Sequence, residues 1–249
     1  LKKETNLKAK ISVMIDIWRY DFDKLPNKNN SSIDLIRLCV YPKDLIKYID
    51  IYKKIHLSGY LISINIIAAS HLSDSDYDNI KTLVDNYSIY FQYLYLADSF
   101  GGLEPYNTEK IIKKIKNIIG VKNILLGFHA HNNGGIALSN TLKAIENGID
   151  IIDGTYNGDG RGGGNLVLED FLLYNYFYKD YNLNIEQLLI FLTNYYNNDK
   201  YKIKYLKELI CGYLNIHPYR LRDFNDNNNN LYNIYKKLSL LNNIEKQTY

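Results

Sequence analysis

Residues 123–134, NILLGFHAHNNG, decide the fold. They open as an apolar run of strand length and end in His129, Ala130, His131, Asn132 and Asn133. Side chains two apart on a strand share a face, so His129 and His131 project together from its carboxyl end. In parallel α/β sheets, that end is where loops converge on a ligand. Outward from this run lie five similar ones: KISVMID ending at Asp16, IDLIRLCV at Val40, YLISINII at Ile67, FQYLYLA at Ala97 and IDIIDGT at Thr155. Helix-period segments separate them, at about Lys43–Leu57, Ser75–Tyr87, Thr108–Ile119 and Gly135–Asn147. Near-continuous apolar strands that alternate with helices specify a parallel sheet covered on both faces, which is an α/β fold.

Pro42-Lys43-Asp44 and Asn107-Thr108-Glu109 read as helix caps, and Gly59 and Gly148 stand where helix ends call for a left-handed residue. After Asn165 the pattern is helical to the end, broken by an Asn-rich stretch from Asn225 to Asn230 that reads as a solvated loop.

A chain of 249 residues suits a single domain with a full core. The net charge of +3 is spread along the sequence and forms no basic stripe, which argues against nucleic-acid binding. No apolar run approaches the roughly 20 residues that cross a bilayer, so a soluble, cytoplasmic protein is expected. The 25 Tyr and many Asn, Ile and Lys read as a coding bias and carry no functional weight individually. Cys39 and Cys211 lack metal-type spacing and read as buried reduced thiols. LKKETNLKAK leads straight into a strand without signal-peptide character, and a start at Leu suggests a piece of a longer protein.

Two further clusters end strands. Asp153-Gly154-Thr155 leads into residues 157–165, NGDGRGGGN, which place five glycines within seven residues and deliver Asn165, an amide-oxygen donor, near the next helix. The cost of ordering so many glycines points to a turn held close to a ligand. A phosphate loop is the rival reading, but the Lys-Ser/Thr of a Walker loop is missing. In the segment Ala97-Asp98-Ser99-Phe100-Gly101-Gly102, Asp98 can orient a ligand or cap a helix, and Ser99 can bond a substrate carboxylate. Arg37 lies inside an apolar strand, where an unpaired charge is costly, so it should point into the barrel mouth and meet an acid or the substrate.

Together, LADSFGGLEP, GFHAHNNGGIALSNTLKAIENGIDIIDGT and GDGRGGGNLVLED resemble the DRE-TIM metallolyases, the superfamily of hydroxymethylglutaryl-CoA lyase, 4-hydroxy-2-oxovalerate aldolase and the isopropylmalate and homocitrate synthases. The resemblance runs from about Lys8 to Asp170, most specifically over Gly127–Asp170. SVMID, SIDLIRLCV and Asn215–Tyr219 direct it to the aldolase-like branch. It implies a (β/α)8 TIM barrel in which His129 and His131 are metal ligands and Asn165 is a further or outer one. Asp98 and Ser99 would line the substrate pocket, with Arg37 a catalytic candidate from its own placement in the strand. Mg2+ or Mn2+ is the implied ion, with Zn2+ or Co2+ as alternatives.

The family signature, Asp-Arg-Glu or a variant, belongs at the end of strand one, and nothing like it precedes KISVMID, which matches strand three. Strands 3–8 are therefore expected here, with ~70–90 residues of the barrel missing or a degraded homologue as the explanation. The implied division is a partial barrel over 1–178 and a helical extension over 179–249. The implied reaction cleaves or forms a carbon–carbon bond in a 2-oxo acid through a metal-stabilised enolate. Claisen condensation of the isopropylmalate type and a non-catalytic barrel remnant are the rivals. His217 is a candidate base, or else a surface histidine at a helix end. The two strand edges of an incomplete barrel favour a homo-oligomer.

Overall fold

The structure, a computed structural model, describes residues 9–179, 181–223 and 230–247. Six strands form one sheet, β1 (Ser12–Asp16), β2 (Leu35–Val40), β3 (Leu61–Ile66), β4 (Tyr93–Asp98), β5 (Leu125–Ala130) and β6 (Ile151–Asp153), paired in parallel and in chain order. Four α-helices fall between them: α1 (Ile49–Leu57), α2 (Asp74–Tyr87), α3 (Pro105–Ile119) and α4 (Ala137–Glu146). All six expected strands are present, which makes this part of the chain three-quarters of a (β/α)8 barrel. β6 stops at Asp153, and Thr155 bridges instead to Val167.

One face of the sheet is apolar apart from Asp98 at the end of β4. Ile36, Leu38, Val40, Ile62, Ile64, Ile66, Leu94, Leu96, Leu126 and Phe128 are at most 1% exposed. They form the core that packs beneath the helices, whose Tyr52, Ile55, Ile80, Leu83, Ile112 and Ile115 are equally buried. Alternation puts Arg37, Cys39, Asn65, Tyr95, Gly127, His129 and Asp153 on the other, concave face.

The curl of the sheet shows in a single contact. Arg37 on β2 grips Asp153 on β6. These strands are four steps apart, roughly 19 Å in a flat sheet and beyond the reach of an arginine. The sheet therefore bends until its second and last strands face each other.

Helix ends correct two expectations. The segment expected as one helix from Lys43 is a 3-10 turn, Pro42–Tyr48, followed by α1, and its N-cap residue Tyr41 makes no side-chain cap. α3 begins at Pro105 with Glu104 as an uncapped N-cap, so Asn107, Thr108 and Glu109 lie inside its first turns. Proline explains both starts, because its fixed φ and missing N–H suit the first helical position without a cap. α2 carries a full capping box, Ser73 with Asp76. Gly59 and Gly148 are left-handed, at φ 87° and 81°, as expected.

The chain divides into two compact units, the first ending at Leu168 and the second beginning at Glu169. The second holds α5 (Leu168–Tyr178, from its second residue), α6 (Ile185–Tyr195), α7 (Lys200–Tyr213) and α8 (Leu231–Gln247). Inside it, Glu169 is fully buried and bonded to Lys202 at 2.8 Å and to the Tyr196 hydroxyl at 2.7 Å. Both cysteines are buried and free. No helix among the described residues is long and apolar enough to cross a membrane. The Asn-rich stretch lies outside the described residues except for Asn230.

Candidate metal centre

Because β5 ends at Ala130, His129 is its last concave-facing residue and His131 follows at the rim. Their rings lie 5.0 Å apart, centre to centre. The glycine-rich loop returns antiparallel beside them. Leu166 N–H donates to Ala130 at 3.1 Å, Asn132 N–H to Gly164 at 2.7 Å, and His131 bridges with Asn165. Gly163 N–H donates to Asn133 Oδ1 at 2.6 Å, and the Asn133 amide donates to the Phe100 carbonyl at 3.1 Å. Gly101, at φ 59°, lies so near that a Cβ there would stand 2.8 Å from the Asn133 nitrogen. Three loop segments are thus clamped together at one end of the sheet.

The His129 imidazole is held from behind, with its Nδ1 3.0 Å from Asp153 Oδ2. With Nδ1 of His129 carrying its proton toward Asp153, Nε2 keeps a free lone pair. Burial and the neighbouring His129 hold His131 below the ordinary histidine range, against weaker opposing effects of Asp98 and the Arg161 carbonyl. His131 therefore favours the neutral state that can ligate a metal.

Asn165 Nδ2 donates to the Asp159 carbonyl at 3.0 Å, which leaves Oδ1 buried with no partner. A buried amide oxygen without a donor is costly, and a cation is one way to satisfy it. Two imidazoles and one amide oxygen suit a divalent ion of mixed nitrogen and oxygen preference. No cluster of three His, Cys, Asp or Glu capable of holding a metal exists among the described residues. These three groups would fill only part of the coordination shell of such an ion.

Asp153, which heads the glycine-rich cluster in the sequence but was given no role of its own there, is the hub. Arg37 donates to it through two nitrogens, at 3.0 and 2.5 Å. Burial alone would raise the Asp153 carboxyl, but the bonds from His129 and Arg37 outweigh it and hold it below the usual carboxylate range. The Arg37 guanidinium lies 4.2 Å from the centre of the Tyr95 ring. That ring in turn lies across Gly127, where a Cβ would be 2.5 Å from it. One signal in the sequence could have found Asp153: it ends the strand that follows the histidine strand, on the same face.

Asp98 and Ser99 are occupied locally. The Asp98 side chain, fully buried, accepts from the amides of Gly102 and Leu103 at 3.2 Å each. Burial raises its carboxyl despite those bonds. Ser99 Oγ accepts from Ala68 N–H at 3.0 Å. His217 belongs to the second unit, where its Nδ1 accepts from Tyr219 N–H at 3.2 Å.

The chain is similar to several known proteins. A 4-hydroxy-2-oxovalerate aldolase from Carboxydothermus hydrogenoformans is 45% identical over 76 residues, 30% of this chain and 22% of that protein. An oxaloacetate decarboxylase from Mycobacterium tuberculosis is 30% identical over 139 residues, 55% of this chain and 39% of the relative. The alignments thus cover well under two thirds of these relatives' lengths. In fold, the protein is similar to the N-terminal domain of a candidate aldolase from Bacteroides vulgatus, with a TM-score of 0.63 and 23% identity over 87% of this chain and 72% of that one. The HMG-CoA lyase of Bacillus subtilis gives 0.52 and 14%, over 66% and 61%. At those identities the likeness concerns architecture alone. The model of the HMGL-like family matches residues 44–188, more than half of the sequence, and the chain therefore belongs to that family of DRE-TIM metallolyases.

Proposed function

We propose that the protein is a divalent-metal-dependent carbon–carbon lyase acting on 2-oxo acids, as a 4-hydroxy-2-oxo acid aldolase. One observation carries the reading: two imidazoles stand 5.0 Å apart, one anchored by Asp153, on a segment bridged to Asn165, whose buried amide oxygen has no partner. When bound, an Mg2+ or Mn2+ ion supplies Lewis-acid stabilisation of the negative charge that develops on the 2-oxo group as the bond breaks. His129, His131 and Asn165 are the residues that would hold it.

The chain's other groups shape the site. Asp98 and Ser99 fix the turn after β4, which sets Phe100 and Gly101 against the histidine segment. Their part in the substrate pocket would be to hold that turn, since the Asp98 carboxylate is buried and taken up by the Gly102 and Leu103 amides. The Asp153 carboxylate, neutralised by Arg37, keeps the His129 proton on the side away from the substrate.

The Mycobacterium relative favours a second reading, oxaloacetate decarboxylation. Both reactions break the bond between C3 and C4 of a 2-oxo acid and leave the enolate of pyruvate, so one constellation serves either. Pyruvate release in Mn2+ from 4-hydroxy-2-oxovalerate and from oxaloacetate separates them, with CoA release from acetyl-CoA and a 2-oxo acid as the condensation control. We expect pyruvate from the hydroxy acid, and no heat on calorimetric titration of His129→Ala with Mn2+. Equal Mn2+ binding by wild type and His129→Ala would overturn the reading.

A further inference from the structure

We infer that Arg37 and Asp153 are positioning residues that set the tautomer and orientation of His129. The inference rests on the metal-site reading for its purpose, but its evidence is independent of any bound ion. The Asp153 carboxylate uses Oδ2 for both His129 Nδ1 and one Arg37 nitrogen, and Oδ1 for the other. The forked guanidinium can match a carboxylate in this way, whereas a lysine ammonium is a point charge. Tyr95 stacks on the guanidinium, and Gly127 leaves the space in which Tyr95 lies.

The arrangement spans the sheet. It draws from β2, β4, β5 and β6, and all its members are largely buried. Such a chain of contacts allows the His129 ring one orientation, with Nε2 directed away from Asp153. His131 lies past the end of β5, bridged to Asn165, and the Asp153 carboxylate bonds His129 and Arg37. A change at Asp153 should therefore be felt first by His129. Arg37 acts through Asp153 and has no need to touch the substrate.

Long-range proton–nitrogen NMR of the histidine rings tests this in the full, metal-free chain at pH 8, above the ordinary histidine range. Wild type should show His129 protonated at Nδ1 and bare at Nε2. In Asp153→Asn, the amide can donate to Nδ1, so the proton should move to Nε2 while His131 keeps its wild-type signature. Mn2+ affinity should then fall by about 10- to 100-fold. Arg37→Lys should preserve the tautomer, because Asp153 remains, but give a smaller loss of affinity and faster ring-proton exchange. Circular dichroism of each variant reports whether it remains folded. A wild-type His129 protonated at Nε2, or an Asp153→Asn protein that is folded with an unchanged His129 tautomer, overturns the inference. Failure of wild type to bind Mn2+ would sink the metal reading instead and leave the tautomer result to decide the positioning role.

Discussion

Asp153 is buried with a full positive charge on one side and an imidazole on the other, and its environment has a pH signature. Its folded-state pKa is lowered, so the stability it contributes is present above the unfolded carboxylate value, about 3.9, and is lost as pH falls through the lower folded value. Asp153→Asn leaves the Arg37 charge buried opposite a neutral amide, which should cost about 3 kcal/mol at pH 7. Urea denaturation at pH 7 and pH 3 should show that gap shrinking at the lower value. A gap that is constant with pH would mean that Asp153 is not ionised in the fold.

Among the elements, α2 is the helix whose start is best specified. Ser73 Oγ accepts from Asp76 N–H at 3.3 Å, and the Asp76 carboxylate accepts from Ser73 N–H at 2.9 Å, so two otherwise orphaned amides are satisfied. Ser73→Ala should therefore lower stability by about 1 kcal/mol, read as a reduced urea midpoint with an unchanged slope. The Arg37–Asp153 pair is remote from this cap, so the two substitutions should add. The strands depend on different physics. Their apolar faces are shielded by α1 to α4, and their polar faces carry the site, so each strand serves stability with one side and chemistry with the other.

For the whole molecule, a ligand that binds only the folded state raises stability by an amount that grows with its concentration over Kd. At 100 times Kd the gain is about 2.7 kcal/mol. Thermal denaturation in rising Mn2+ should show this upward shift in wild type, and His131→Ala should abolish it. A shift of equal size in His131→Ala would place the ion elsewhere. The measurement reads folding and not turnover, so it holds for this chain whether or not it catalyses a reaction by itself.

Much of the architecture was legible from residues alone, because burial on both faces writes a parallel strand as a short apolar run and the helices between strands keep their own period. All six strands were found that way, as was the pairing of His129 with His131 two residues apart on one face. Cap positions were misread at Pro42 and Pro105, since proline starts a helix without the side-chain signal that the reading relied on. What the sequence could not show was the grip of Arg37 on Asp153, which are 116 positions and four strands apart. Such a contact depends on how far the sheet curls, and curl comes from the packing of all the strands and helices together. The same holds for the unpartnered oxygen of Asn165: its residue type is local, but its burial and lack of a donor exist only once the glycine-rich loop has folded back along His131.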